Sequence, residues 1–456
     1  VRLSKSQIRA QVKGGLAITF SDERISAHGG LELFRRYFVA IDLAGRLRRA
    51  IGDGGDYGAV RLVLVVIGLL LAGGRRLAHL AVLARDPLLL RLAGVVQMPS
   101  DRTVARWMAG AAQTVVEAVA EVVRDIAHDA IASLGLARLT LDVDGTVLRV
   151  CGAAQGAARG FNPHHPKDRS YYPLTAHLAQ TGHLLRVWNR PGNVHDSHGA
   201  IGFLRTVLAE LRDRFGRFHR LELRLDGAFF SREMLEFLDA EALGYALKVP
   251  LWKWLGVREK IATRKRWERV DDSIDGFETT LDLPQWERAQ RVVVYRKRVF
   301  HETHKNFQLD LFNPDDGHFA YSAVATNTAL GVAALWHFMA GRGGHEKTLG
   351  ELKQSLAFDA IPSRDQQTNA LWQQIVVLAH NLVRSFQLCL EATARPRSRK
   401  RTFDYVFRSL QTLRFTLIHQ PARIVRPAGR AELRFAVSSH TRREIERAER
   451  CLQRAA

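Results

Sequence analysis

"RLTLDVDGTVLRV", Arg138 to Val150, is where the period of the chain changes. Upstream, apolar residues recur at helical spacing, as in "LELFRRYFVAIDLAGRLRRAI" and "TVARWMAGAAQTVVEAVAEVVRDIAHDAIASL". Here they alternate. Leu139, Leu141 and Val143 point one way and Thr140, Asp142 and Asp144 the other, the period of a strand. Two more runs follow, "YYPLTAHLAQ" and "HLLRVWNR", joined through Thr181-Gly182, and they read as a hairpin. Then come a helix ("SHGAIGFLRTVLAELRDRF"), a strand ("LELRLDGAF"), a helix ("SREMLEFLDAE") and a strand ("GYALKV"). Three antiparallel strands followed by helix-strand-helix-strand make a mixed α/β sheet.

The flanks divide around this sheet. Residues 1–136 read as an all-α domain. Within it, "MPSDRTVARWM" offers Ser100 and Asp101 as caps for a helix carrying Arg102 and Arg106. That helix reads either as the second half of a helix-turn-helix or as part of a bundle with its arginines in solvent. The sheet domain takes 137–249 and resumes at 327–395. Between them, 250–326 holds Trp252, Trp254, Trp267 and Trp286 and short alternating runs, "RVVVYRKRVF" and "FQLDLF", and is expected to be a mostly β insertion. A basic C-terminal region, 396–456, follows.

Composition narrows the partners. The chain has 456 residues, with 67 Lys+Arg against 46 Asp+Glu, a net charge of +21. An excess of that size attracts polyanions, DNA or RNA above all. A membrane surface is excluded as a partner because no basic amphipathic anchor is present. The longest apolar run, Leu62 to Ala72, is too short to span a bilayer and reads as a buried helix. "VRLSKSQIRAQVKGG" at the start has no secretory pattern. Cys151, Cys389 and Cys451 are far apart, which excludes a Cys-rich zinc ribbon and suits a cytoplasmic protein. Cys151 is expected to be a small buried residue.

Candidate chemistry sits at strand ends. Asp144 closes the first strand and Asp226 the fourth, each followed by Gly, which lets the backbone turn while the carboxylate stays at the sheet edge. If those strands are neighbours the two acids converge. Oxygen ligands of that kind favour magnesium or manganese. A third acid stands in "GRGGHEKTLGELKQ". Arg342, Glu346 and Lys353 there fall within roughly 40° on one helix face, while Glu351 lies about 140° from Glu346 and is expected to be inert. Gly343-Gly344 weakens a helix interior, so the helix should bend or restart there. Taken singly, each acid has a plain alternative as a turn residue, a cap or an i,i+4 partner. His195 and His198 read as a cap region before a helix rather than as a metal pair. His164, His165, Lys167 and Arg169, in a long basic loop, are candidate phosphate contacts.

The order of "LDVDGTV", "FNPHHPKDRSYYPLTAHL", "RPGNVHD", "LRLDGAFFS", "VATN" and "GRGGHEKTLGELK" resembles that of bacterial DDE transposases, the insertion sequence 1380 family in particular. The resemblance implies a ribonuclease H-like catalytic domain with a β insertion. It places the family's three catalytic, metal-binding acids on Asp144, Asp226 and Glu346, with Asp142 in reserve for the first. The family's Tyr-Arg-Glu-Lys signature falls on Met339, Arg342, Glu346 and Lys353, so the tyrosine is replaced. It implies two Mg2+ or Mn2+ ions, binding of double-stranded inverted-repeat ends and target DNA, and strand cleavage and transfer by a homodimer. An insertion tryptophan would stack on a flipped base, although each tryptophan taken singly is expected in the core. The rival readings are a metal-dependent nuclease without strand transfer and an inactive or domesticated DNA-binding transposase.

Overall fold

The structure, a computed structural model, describes residues 4, 6 and 16–455 apart from 137, 161, 163–164, 166, 217–219, 300–318 and 396–402. His164 and the run "FQLDLF" lie outside the described residues.

The longer helices described before the sheet are α1 (Leu31–Ala40), α2 (Leu43–Ile51), α3 (Ala59–Leu71), α4 (Pro87–Ala93), α5 (Asp101–Gly110) and α6 (Gln113–Ser133). Strands β1 (Arg138–Gly145), β2 (Leu174–Leu178) and β3 (Leu184–Trp188) are antiparallel neighbours. After α7 (Ala200–Phe215), β4 (Arg220–Leu225) pairs parallel with β1. After α8 (Arg232–Ala240), β5 (Gly244–Val249) pairs parallel with β4. The mixed sheet is therefore as read, except that β1 stops at Gly145 and Leu148–Val150 joins a separate three-stranded sheet. Thr140 and Asp142 are as buried as Leu139 and Leu141, so β1 is covered on both faces.

The stretch after β5 extends the same sheet. Strands β6 (Ile274–Leu283), β7 (Arg288–Arg298) and β8 (Phe319–Thr326) continue it, with Ala325 opposite Leu247 of β5. The sheet then has nine strands, counting the two-residue Glu268–Arg269 at the edge. Alternation on β7 serves two cores: Val292 and Val294 face the one under α7 and α8, Val293 and Tyr295 the other.

Beyond the sheet lie α9 (Val332–Ala340), α10 (Gly343–Leu356), α11 (Gln366–Cys389) and α12 (Ser439–Ala455). Helices α1 to α6 share one apolar core with α11 and α12. Phe34 stacks on Phe386 at 4.0 Å, and Asn381 donates to Val123 O (3.1 Å) while bridging Leu184 N and O of β3. Gln374 donates to Val187 O, so α11 satisfies polar groups that edge strand β3 would otherwise leave open. The Leu62–Ala72 run forms most of buried α3 and its C-cap, and among the described residues no helix is long and apolar enough to cross a membrane. Ser100 caps α5 by accepting from Thr103 N, and Arg102 and Arg106 are exposed on that helix. Cys151 is exposed, contrary to expectation, because it lies in the bend that follows Leu148–Val150.

Candidate active site

Parallel pairing of β1 and β4 puts Asp142 opposite Arg224, so Asp144 and Asp226, two residues further on, emerge at the same end of the sheet. Each carboxylate accepts from the following glycine, Gly145 N at 3.0 Å and Gly227 N at 2.7 Å. Arg342 reaches between them. Its Nη2 lies 2.8 Å from Asp144 Oδ2 and its Nη1 3.6 Å from Asp226 Oδ2. The Asp144 contact is off the line of the N–H and is charge pairing rather than a hydrogen bond. Glu346 is exposed one turn along, close enough for its charge to act on Arg342. Lys353 donates to Val147 O at 3.0 Å, just past β1, and Lys248 Nζ is 4.0 Å from Asp226 Oδ1.

The helix reaches the acids because it breaks where the glycines stand. Helix α9 ends at Ala340, α10 begins at Gly343, and Arg342 is the α10 N-cap. Asp142 supports this break from below. It is fully buried and bound through both oxygens by Arg224 (2.5 and 2.7 Å), whose Nη1 donates to Phe338 O at 2.8 Å. Its place in reserve for the first acid is thus lost: both its oxygens are already engaged by a guanidinium. His345 Nε2 meets Thr175 Oγ1 (3.1 Å) and His177 Nε2 meets Thr348 Oγ1 (3.2 Å), which ties α10 to β2. Ligand atoms of Asp142, His177 and His345 lie within 4.8 Å of one another, a spacing that could hold a metal ion. A dication there would sit against the buried Arg224 charge, so the cluster suits a structural network better.

The electrostatics single out Asp144. Burial pushes its carboxyl up to about 7, against the pull of Arg342 and with help from Asp226 and Asp196. Burial pulls Arg342 down, but Asp144 and Asp226 outweigh it and leave the guanidinium raised. His345 is held well below its ordinary value by burial and stays neutral. Two mutually repelling carboxylates, one of them pushed up by burial, fit a hard divalent cation with oxygen ligands.

Several residues fall elsewhere than expected. The "NVHDSH" stretch does not cap α7, whose N-cap is Gly199 with no side-chain bond; His195 instead pairs with Ser197 Oγ at 2.8 Å. Asp196 of that stretch, held by Tyr172 and Arg190, stands beside the acids and was missed. Its only signal is its place in the "RPGNVHD" motif. His165, Lys167 and Arg169 are exposed, His165 4.0 Å from Asp168. Glu351 is not inert: it accepts from Arg384 (2.8 Å) and from Leu410 N (2.6 Å). Trp267 and Trp286 pack against the core, but Trp252 and Trp254 are 45% and 47% exposed and stack 6.0 Å apart, because Phe230 and Trp286 back them without covering them. Phe230 follows Asp226 by four residues. Met339 packs against the apolar cluster around Tyr295. A groove of about 960 Å³ runs between α6, β3 and α7 and contains none of the acids.

Acids thus stand at the ends of adjacent parallel strands, with the start of a helix that carries Arg342, Glu346 and Lys353 across them. The chain belongs to the transposase DDE domain group 1 family, whose profile matches residues 6–456. Membership makes it a DDE transposase, a DNA-cleaving class of enzyme. Among solved structures it is similar to a piggyBac transposase synaptic complex with hairpin DNA, at 12% identity and a TM-score of 0.37 over 91% of this chain and 82% of that one. No significant match is found among curated proteins.

Proposed function

We propose that the protein is an insertion-sequence transposase of the 1380 type, which binds the inverted repeats of its element, cuts at their ends and joins the 3′-hydroxyls to target DNA. One observation carries this reading: Asp144 and Asp226, on adjacent parallel strands, share Arg342, and Glu346 follows one turn along the same helix. Two divalent ions held by Asp144, Asp226 and Glu346 would supply activation of water or a 3′-hydroxyl and stabilisation of the leaving oxygen. Arg342, which lies between Asp144 and Asp226, would pair with a phosphate at the same place, which its planar fork suits. Lys353 and Lys248 neutralise the backbone on either side. The exposed Trp252–Trp254 pair offers a base a stacking platform near the Asp226 turn. Two ends must be held together, so the active form is a dimer on DNA.

The test is a duplex carrying the inverted repeat that flanks the gene. Cleavage at the end and joining to a second duplex should need Mg2+ or Mn2+ and stop in EDTA. Binding should weaken steeply with salt as counterions are released. Undiminished cleavage in EDTA would sink the three-acid reading. Cleavage without joining of pre-cut ends would leave a nuclease instead.

A further inference from the structure

Asp196 lies in the loop between β3 and α7, beside the two strand-end acids. Its Oδ2 accepts the Tyr172 hydroxyl at 2.9 Å. Its Oδ1 is buried and has no hydrogen-bond partner. That oxygen forms a long ion pair, 3.8 Å, with Nη2 of Arg190, a side chain only 1% exposed whose Nη2 makes no hydrogen bond. Arg190 spends its other nitrogens on carbonyls: Nε donates to Tyr172 O (3.1 Å), and Nη1 to His198 O (2.8 Å) and Asp196 O (3.3 Å). The arginine therefore shapes the loop backbone and meets the carboxylate oxygen only by a long ion pair, without a hydrogen bond. The loop also packs close to Asp144. A Cβ on Gly145 would come within 2.3 Å of Asp196 Oδ1 and 2.6 Å of the Tyr172 ring.

A buried carboxylate oxygen without a hydrogen bond costs stability, and a third acid near two others adds repulsion. A built loop that keeps such a group in place points to a ligand that supplies both charge and hydrogen-bond donors. A hydrated Mg2+ or Mn2+ does so, because such ions keep several of their waters when bound by one or two carboxylates.

We propose that Asp196 is a fourth carboxylate of the centre, a positioning residue whose Oδ1 would accept a hydrogen bond from water on the divalent ion held by Asp144 and Asp226. The inference rests on the reading of those two acids as ion ligands.

Mn2+ binding to the full chain, followed by the paramagnetic resonance of the free ion, tests it alongside thermal melting in EDTA. Asp196→Asn should bind Mn2+ about tenfold more weakly, as loss of an outer partner does. Its melting point in EDTA should be unchanged or higher, since a repelling charge is gone. Tyr172→Phe, which only frees the aim of the carboxylate, should weaken Mn2+ by roughly fivefold, the worth of one hydrogen bond. It decides the matter if Asp196→Asn does not fold. Asp144→Asn should lose Mn2+ binding altogether. If it binds normally, the ion-ligand reading falls and takes this proposal with it. If it fails to bind while Asp196→Asn and Tyr172→Phe bind like the native protein, only the role of Asp196 falls. A lowered melting point in EDTA with native Mn2+ affinity in Asp196→Asn would likewise make the residue a plain loop anchor.

Discussion

Asp144→Asn should stabilise the metal-free protein while destroying its chemistry. Burial raises the folded carboxyl from an ordinary 3.8 to about 7. Between those values the folded chain keeps a proton that the unfolded chain has already lost. The ionised group therefore costs nothing below pH 3.8, costs progressively more as pH rises towards 7, and costs its full amount above that. A gap of roughly three pH units, at about 1.36 kcal/mol each, makes at most about 4 kcal/mol. Asparagine removes that burden but leaves Arg342 only its longer contact with Asp226, 3.6 Å away, which trims the gain. In a chain of this length about 1 kcal/mol corresponds to roughly 1 °C in Tm. Melting in EDTA should therefore show Asp144→Asn about 2–4 °C above the native protein at pH 8, with the difference vanishing near pH 4. Strand cleavage should fall by about a hundredfold or more, with binding to duplex DNA retained. A lower Tm at pH 8, or a difference independent of pH, would refute the assignment of Asp144 as a strained, ion-seeking carboxylate.

Asp142→Asn, two residues earlier, should do the opposite and cost about 3–5 kcal/mol in denaturant unfolding, because it removes the buried carboxylate that binds the Arg224 guanidinium through both oxygens. Glu346→Gln, at an exposed position, should change stability by less than about 0.5 kcal/mol yet cut cleavage and joining by roughly a hundredfold or more. Glu351→Gln should instead lower stability by about 1–3 kcal/mol, since it weakens the acceptor shared by Arg384 and Leu410 N. Replacing Trp252 or Trp254 by Ala should leave Tm nearly unchanged while weakening binding to repeat ends by about 1–3 kcal/mol, and equal loss on random duplex would exclude base stacking at the end.

The strands that carry Asp144 and Asp226 were legible because alternation, a terminal acid and a glycine all agree locally. What distinguishes Asp142 from Asp144 was not. Both share one face by the period of the strand, and it is Arg224, on a neighbouring strand 82 residues away, that ties down Asp142 and not Asp144. The same holds for Glu351. Its angle from Glu346 was readable, but a helix packed on two sides has more than one buried face, and its partners come from Arg384 and Leu410. The β character of the insertion showed in "RVVVYRKRVF", but the pairing that makes β8 a neighbour of β5 is a choice of register between distant segments. The boundary drawn at 136 passes through a core closed by α11, whose contribution no local pattern before 136 records. Asp196 lies in a loop with no period, and its aim is set by Tyr172 and by an arginine that binds carbonyls.

The two arginines explain how one short break positions the centre. In an unbroken helix Phe338 O would take the amide of Arg342. Here Arg342 N turns to Met339 O (3.0 Å), and Phe338 O receives Arg224 Nη1 and Gly341 N instead. A side chain entering the ladder is a recognised cause of a kink, and this one is fixed by Asp142 through two hydrogen bonds. The glycines at 341, 343 and 344 lower the cost of bending without dictating where the bend points. Arg224 supplies that direction, because it anchors the end of α9 to β4, the strand that delivers Asp226. Arg342, the first residue past the bend, is thereby set over the strand ends, and Glu346 follows within the first turn of α10. Asp142, the acid held in reserve, is thus the anchor of the helix that carries Glu346, and its charge acts on that helix through backbone geometry.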